Sequence, residues 1–146
     1  MSDLKVLMAD DEIDVLQVMA KKVREAGYEV ATARDGVEAW DKIQSENPDV
    51  IVLDLMMPQR DGYEILKELR ENPPTTKWQP VIIVSAKNEL EDMEKTFSME
   101  ADHYITKPCG VDDILKAIRQ MVQLLPQHKT LTELQAQRLR EKSQEQ

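Results

Sequence analysis

The chain has 146 residues and a formal net charge of −9, with 28 acidic against 19 basic side chains; that balance argues against nonspecific nucleic-acid binding, which needs cations to neutralise phosphates. The length fits one domain with a short extension, and the single cysteine, Cys109, leaves no internal disulfide, in keeping with a reducing cytoplasm. The start, MSDLKVLMADDE, places acids where a signal peptide needs an apolar centre, and no apolar run approaches the roughly 20 residues of a membrane span, so a soluble, cytoplasmic protein is expected.

Along the chain, short apolar runs alternate with amphipathic segments. LKVLMA (Leu4 to Ala9) reads as a strand, and Ile13, Leu16, Met19, Ala20 and Val23 then recur at helical spacing. YEVATA (Tyr28 to Ala33) is a second strand, followed by a helix marked by Val37, Trp40 and Ile43. VIVLDL (Val50 to Leu55) and PVIIVSA (Pro80 to Ala86) are continuously apolar, as central strands buried on both faces should be, apart from Asp54 and Ser85 at their ends. The helix between them carries Tyr63, Leu66 and Leu69; the next carries Leu90, Met93 and Phe97. DHYIT (Asp102 to Thr106) is the last strand, and Ile114, Leu115, Ile118, Met121 and Val122 mark the last helix. This order is (βα)5, an α/β chain whose parallel sheet has helices on both faces because parallel neighbours need crossover connections. Pro126 is expected to end the final helix, dividing a domain over 1–125 from a polar extension over 126–146, a helical tail or linker stub with leucines at 131, 134 and 139.

In an open sheet of this kind, ligands bind beyond the carboxyl ends of the strands, where strand order reverses. There the sequence places Asp10, Asp11 and Glu12 after the first strand, Asp54 at the end of the third, Ser85 at the end of the fourth and Lys107 after the fifth. Each has a plain alternative: Asp10 or Asp11 as a helix cap, Ser85 as another, Lys107 as a surface cation. Converged on one edge, three carboxylates repel one another unless a cation compensates. A hard ion such as Mg2+ does so with oxygen ligands, and with the lysine it suits a phosphoryl group arriving at a carboxylate.

ADDE, LDLMMPQRDGYEIL, VIIVSAK and DHYITKP, in that order and at successive strand ends, resemble the receiver domains of two-component response regulators over nearly all of Asp3 to Leu125. The resemblance implies a doubly wound, flavodoxin-like, five-stranded parallel sheet of order 2-1-3-4-5. It implies that Asp54 is the phosphoacceptor, that Asp10, Asp11, Asp54 and the Met56 carbonyl hold Mg2+, and that Ser85 and Lys107 contact the phosphoryl group. Tyr104 matches the family's aromatic switch residue, and Pro108 follows a cis peptide bond. Two features depart from the common pattern. Glu100 stands where many receivers carry glycine, which calls for a left-handed non-glycine residue or a different turn, and Cys109 follows Lys-Pro where an aromatic or apolar side chain is frequent. Met56 and Lys87 occupy positions where family members vary and tune phosphoryl lifetime.

The implied function is a phosphorylation-controlled switch. It accepts a phosphoryl group from a sensor histidine kinase or phosphotransfer protein, and it alters binding to a downstream target or fused output domain, or to a second copy, through the face formed by the fourth helix, fifth strand and fifth helix. It is not an enzyme beyond self-phosphorylation and autodephosphorylation, and neither membrane nor nucleic-acid contact is expected of this chain. The alternatives are a phosphohydrolase working through an aspartyl phosphate, for which Met56 stands where a second acid is wanted, and an interaction module with the fold alone. His103, His128, Trp40 and Trp78 are read as structural or solvent residues.

Overall fold

Aliphatic runs of strand length become strands and the amphipathic segments between them become helices, in the predicted alternation. The computed structural model describes residues 4–144, with side chains as far as 127. Its elements are β1 (Lys5–Ala9), α1 (Ile13–Glu25), β2 (Glu29–Ala33), α2 (Gly36–Glu46), β3 (Val50–Asp54), α3 (Gly62–Glu71), β4 (Val81–Ser85), α4 (Leu90–Ser98), β5 (His103–Thr106) and α5 (Val111–Gln144). All five strands are parallel in the order β2-β1-β3-β4-β5. The order reverses between β1 and β3, so a crevice opens beyond Ala9 and Asp54.

Strand alternation sorts the core into two layers. Leu7, Ile51, Leu53 and Ile83 meet Ile43 of α2 and Ile65, Leu66 and Leu69 of α3. Val6, Met8, Val50, Val52, Ile82 and Val84 meet Leu16, Ala20 and Val23 of α1 and Ile114 and Ile118 of α5. Every residue of β3 and β4 is buried. Each buried aliphatic side chain is worth about 1.5–3 kcal/mol, so four apolar residues hold β3 in place and carry Asp54 to the crevice with it.

Two helices start alike. DGVE and DGYE place Asp35 and Asp61 as N-caps, whose carboxylates accept the backbone N–H of Glu38 and Glu64 at 2.8 and 2.9 Å, each cap being worth about 1 kcal/mol. The glycines that follow are required by close approach. A Cβ on Gly36 would lie 1.8 Å from the Arg60 carbonyl oxygen, and one on Gly62 would lie 2.4 Å from the Asp54 carbonyl oxygen.

The turn before β5 takes the left-handed option, with Glu100 at φ 69°. Its strain is offset by Arg70, whose Nε donates to the Glu100 carbonyl at 3.0 Å, while Nη1 and Nη2 reach the Gln79 carbonyl and the Asp102 carboxylate at 3.0 and 2.9 Å. Asp102 also accepts the Val81 N–H at 2.8 Å. One guanidinium therefore ties the end of α3 to the start of β4 and the entry to β5.

One expectation is refined and one corrected. Helical spacing in α4 is borne out, but Leu90 and Phe97 are exposed, Met93 is half-buried, and the helix buries Thr96, which can go inside because its hydroxyl donates to the Met93 carbonyl within the helix. Pro126 does not end α5; it lies inside the helix, which gives up one backbone hydrogen bond there and continues to Gln144. The side chains of Leu131, Leu134, Leu139 and His128 lie outside the described residues.

Candidate functional site

The site is set by backbone bonds that aim the strand ends. The Asp10 N–H donates to the Ala33 carbonyl at 3.0 Å, the Gly62 N–H to the Leu55 carbonyl at 2.9 Å and the Lys107 N–H to the Ser85 carbonyl at 2.8 Å. The Lys107–Pro108 peptide is cis. On this frame Lys107 Nζ donates to Asp54 Oδ2 at 2.9 Å and to Asp10 Oδ2 at 2.8 Å, with Glu12 Oε1 at 3.4 Å. The other Asp54 oxygen accepts the Met56 N–H at 3.0 Å, and the other Asp10 oxygen accepts the Glu12 N–H at 2.9 Å. Asp54 is only 4 % exposed. Asp11 is exposed, yet one carboxylate oxygen each from Asp10, Asp11 and Asp54 lies within 4.8 Å of the other two.

Charge is unbalanced here, because among the described residues the four carboxylates of Asp10, Asp11, Glu12 and Asp54 gather about the Lys107 ammonium. Burial is the largest influence on Asp54 and pushes its carboxyl above the usual range; the Met56 N–H and Lys107 pull it back, and Asp10 adds to the rise. Burial disfavours the charged form of Lys107, but its hydrogen bonds to Asp10 and Asp54 outweigh that and raise its pKa, so it stays an ammonium. The donor set is all oxygen and anionic, the chemistry that suits Mg2+ or a similar hard cation. Beside Lys107 a cavity of about 440 Å³ opens between α1 and α5, walled by Met8, Leu16, Val52, Val84 and Ile114, with Cys109 at its edge.

The predicted residues divide. Asp10, Asp11, Asp54 and Lys107 meet. Asp10 caps no helix; its side chain closes a local turn on Glu12, and α1 begins without a side-chain cap. Ser85 does not cap α4 either, its Oγ accepting the Lys87 N–H at 3.1 Å. Tyr104 donates from its hydroxyl to the Lys87 carbonyl at 2.7 Å, and burial raises its phenol pKa, keeping it a donor. Met56 exposes its side chain and turns its N–H to Asp54. Trp40 and Trp78 pack against the two core layers, and His103 Nδ1 is buried with no hydrogen-bond partner among the described residues. Sequence reasoning missed Tyr63 and Asp92, joined at 3.0 Å across 29 residues, and Arg70; no local pattern marks contacts of that span.

The family model for the response regulator receiver domain matches residues 6–119. The chain belongs to this receiver family of two-component systems. It is 39% identical over 104 residues to the alkaline phosphatase synthesis transcriptional regulatory protein PhoP of Bacillus subtilis (strain 168), covering 71% of this chain and 42% of that protein. It is 36% identical over 118 residues to the probable transcriptional regulator ycf27 of Cyanophora paradoxa, covering 81% of this chain and 48% of that protein. The receiver thus spans about half the length of the curated relatives it matches. Among solved structures, the receiver domain of the Francisella response regulator 1452 is 37% identical with a TM-score of 0.76, covering 83% of this chain and 98% of that one. The CheY-like receiver of Methanospirillum hungatei JF-1 is 26% identical with a TM-score of 0.78, over 86% and 98%. No helix among the described residues is long and apolar enough to cross a membrane.

Proposed function

We propose that this receiver takes a phosphoryl group on Asp54 from the phosphohistidine of a sensor kinase or phosphotransfer protein, and that the modification changes what its α4-β5-α5 face binds. The observation that carries this reading is a buried carboxylate at a strand end, bonded to an ammonium and ringed by two further acids. A carboxylate oxygen of Asp54 attacks phosphorus, an O–P bond forms, the P–N bond breaks, and the leaving imidazole takes up a proton. Lys107 sits on Asp54 and Asp10, where its charge meets the equatorial oxygens of the transferring group. Asp10, Asp11, Asp54 and the Met56 carbonyl would hold Mg2+, which supplies the countercharge that lets acids and phosphoryl oxygens come together.

The product adds about −1.5 to −2 charges at one point. Ser85 then exchanges the Lys87 N–H for a phosphoryl oxygen, and the β4–α4 loop, which also holds the Tyr104 hydroxyl, shifts with it. Tilting a 1:99 equilibrium to 99:1 takes about 5.5 kcal/mol of differential interaction. Partners follow from this chemistry: a histidine kinase or phosphotransfer protein upstream, and an output domain, target protein or second copy downstream. Met56, two residues beyond Asp54, offers no general acid for hydrolysing an external phosphate ester, which sets this reading above a phosphohydrolase.

Intact-mass measurement after incubation with a small acyl phosphate and Mg2+ tests it. One phosphoryl adduct is expected, absent without Mg2+ and absent in Asp54→Asn; folded protein of unchanged mass would overturn the assignment.

A further inference from the structure

The cavity between α1 and α5 has no role in the phosphoacceptor chemistry, yet at about 440 Å³ it falls within the roughly 300–1,000 Å³ of small-molecule pockets. Its floor is the sheet face that carries Met8, Val52 and Val84, and its sides are Leu16 of α1 and Ile114 of α5. It is open to solvent. Val52 and Val84 each keep 5 % exposure, whereas Leu53 and Ile83, beside them on the same strands but on the other face, are fully buried. Aliphatic walls offer few hydrogen bonds to water, which needs about two to four to be held. An apolar group entering the cavity therefore displaces poorly held solvent.

The mouth reads charge. Asp10, Glu12 and Lys107 line it. An ammonium has three N–H donors, and those of Lys107 face Asp10 Oδ2 at 2.8 Å, Asp54 Oδ2 at 2.9 Å and Glu12 Oε1 at 3.4 Å. An anionic head therefore meets an ammonium whose donors are already engaged. A cationic head meets Glu12. That side chain is 60 % exposed, it holds Lys107 only by the long contact, and its Oε2 has no partner among the described residues. With four carboxylates gathered about one ammonium, a second cation leaves the mouth still anionic.

We propose that this cavity binds a small lipophilic cation, an amine or amidine on an aromatic or aliphatic body, with the body among Met8, Leu16, Val52, Val84 and Ile114 and the charged head on Glu12. The proposal is independent of the phosphoacceptor reading, because neither Asp54 nor a metal touches the ligand. Recognition is divided between two places that can be altered separately. The apolar floor supplies affinity, and Glu12 selects the sign of the head.

Cys109, the single cysteine of the chain, stands half-buried at the cavity edge, so its thiol reports occupancy. The test times its reaction with dipyridyl disulfide at mildly alkaline pH, since burial raises the thiol's pKa, while naphthylmethylamine, naphthylmethanol or naphthoate is titrated to about 1 mM. The amine should protect the thiol at concentrations about two- to five-fold below the alcohol, the range of an exposed ion pair, and naphthoate should protect least. Glu12→Gln should erase the advantage of the amine and leave the alcohol as in wild type. Leu16→Phe and Val52→Leu, which fill the cavity from its side and its floor, should weaken amine and alcohol alike, with thermal melts to establish that both are folded. Protection by none of the three compounds, equal protection by all three, an amine preference that survives in Glu12→Gln, or unchanged protection in a folded filling variant would each overturn the proposal.

Discussion

The pocket is short of positive charge, and Asp11→Asn isolates the consequence. Asp10 and Asp54 share the Lys107 ammonium, whereas Asp11 enters neither of those ion pairs and still brings an oxygen within 4.8 Å of both carboxylates. Two unit charges at 4.8 Å repel by about 3.5 kcal/mol at an effective dielectric constant near 20 and by about 0.9 kcal/mol in bulk water. Asp11 is exposed, which puts its interactions near the lower figure, so removing its charge relieves about 1–2 kcal/mol over two neighbours. In a chain of this size that raises the metal-free melting temperature by about 3–6 °C.

Mg2+ reverses the order. A cation at ten times its dissociation constant adds about 1.4 kcal/mol of stability to the protein that binds it, and on the proposed metal site Asp11→Asn would lose one of its ligands. Differential scanning fluorimetry of both proteins, in EDTA and across a Mg2+ series, should therefore give curves that cross, the variant ahead without metal and behind at saturation. A variant less stable than wild type in EDTA would refute the repulsion, and one that keeps the full Mg2+ gain would refute the role of Asp11 as a ligand.

The raised pKa of Asp54 gives a pH dependence whose sign is opposite to that of a salt-bridged acid. Folded Asp54 binds its proton more tightly than the unfolded chain does, so its contribution is complete below about 3.8 and is lost as pH rises through the higher folded value; in metal-free urea titrations Asp54→Asn should gain on the wild type across that window, and a constant difference would contradict it. Arg70→Ala removes the guanidinium from Asp102 and from the Gln79 and Glu100 carbonyls, which should cost about 2 kcal/mol in urea unfolding, as loss of hydrogen bonds from a charged, partly buried donor does; a loss under about 0.5 kcal/mol would mean that water replaces it.

Much of this was legible because the chemistry rides on local patterns. VIVLD and VIIVS announce central strands by their unbroken apolar character, and all ten of those residues are buried. Alternation and crossover gave a parallel sheet, the receiver resemblance supplied its strand order, and in that order the acids after β1 and the lysine after β5 meet Asp54. The buried face of α4 was not legible, for an equally physical reason. Leu90, Met93 and Phe97 have helical spacing, but spacing does not say which face of a helix the sheet will take, and Thr96 could go inside because it bonds within its own turn. Pro126 was overweighted because a proline costs a helix one bond, a cost that α5 bears.

Contacts that join distant segments were not legible. Arg70 and Asp102 are 32 residues apart, Tyr63 and Asp92 are 29 apart, and each looks like an ordinary surface residue of its own helix or turn. The charge state of the pocket belongs to the same class. Asp54 is an acid in any reading, but its raised pKa follows from burial at the end of β3 and from Asp10 across the crevice, partly offset by a lysine 53 residues away. The sheet therefore does more than gather these groups. By burying Asp54 and leaving its neighbouring acids short of countercharge, it would make the site respond to an arriving cation or phosphoryl group with a change in stability, which is the property that the proposed switch requires.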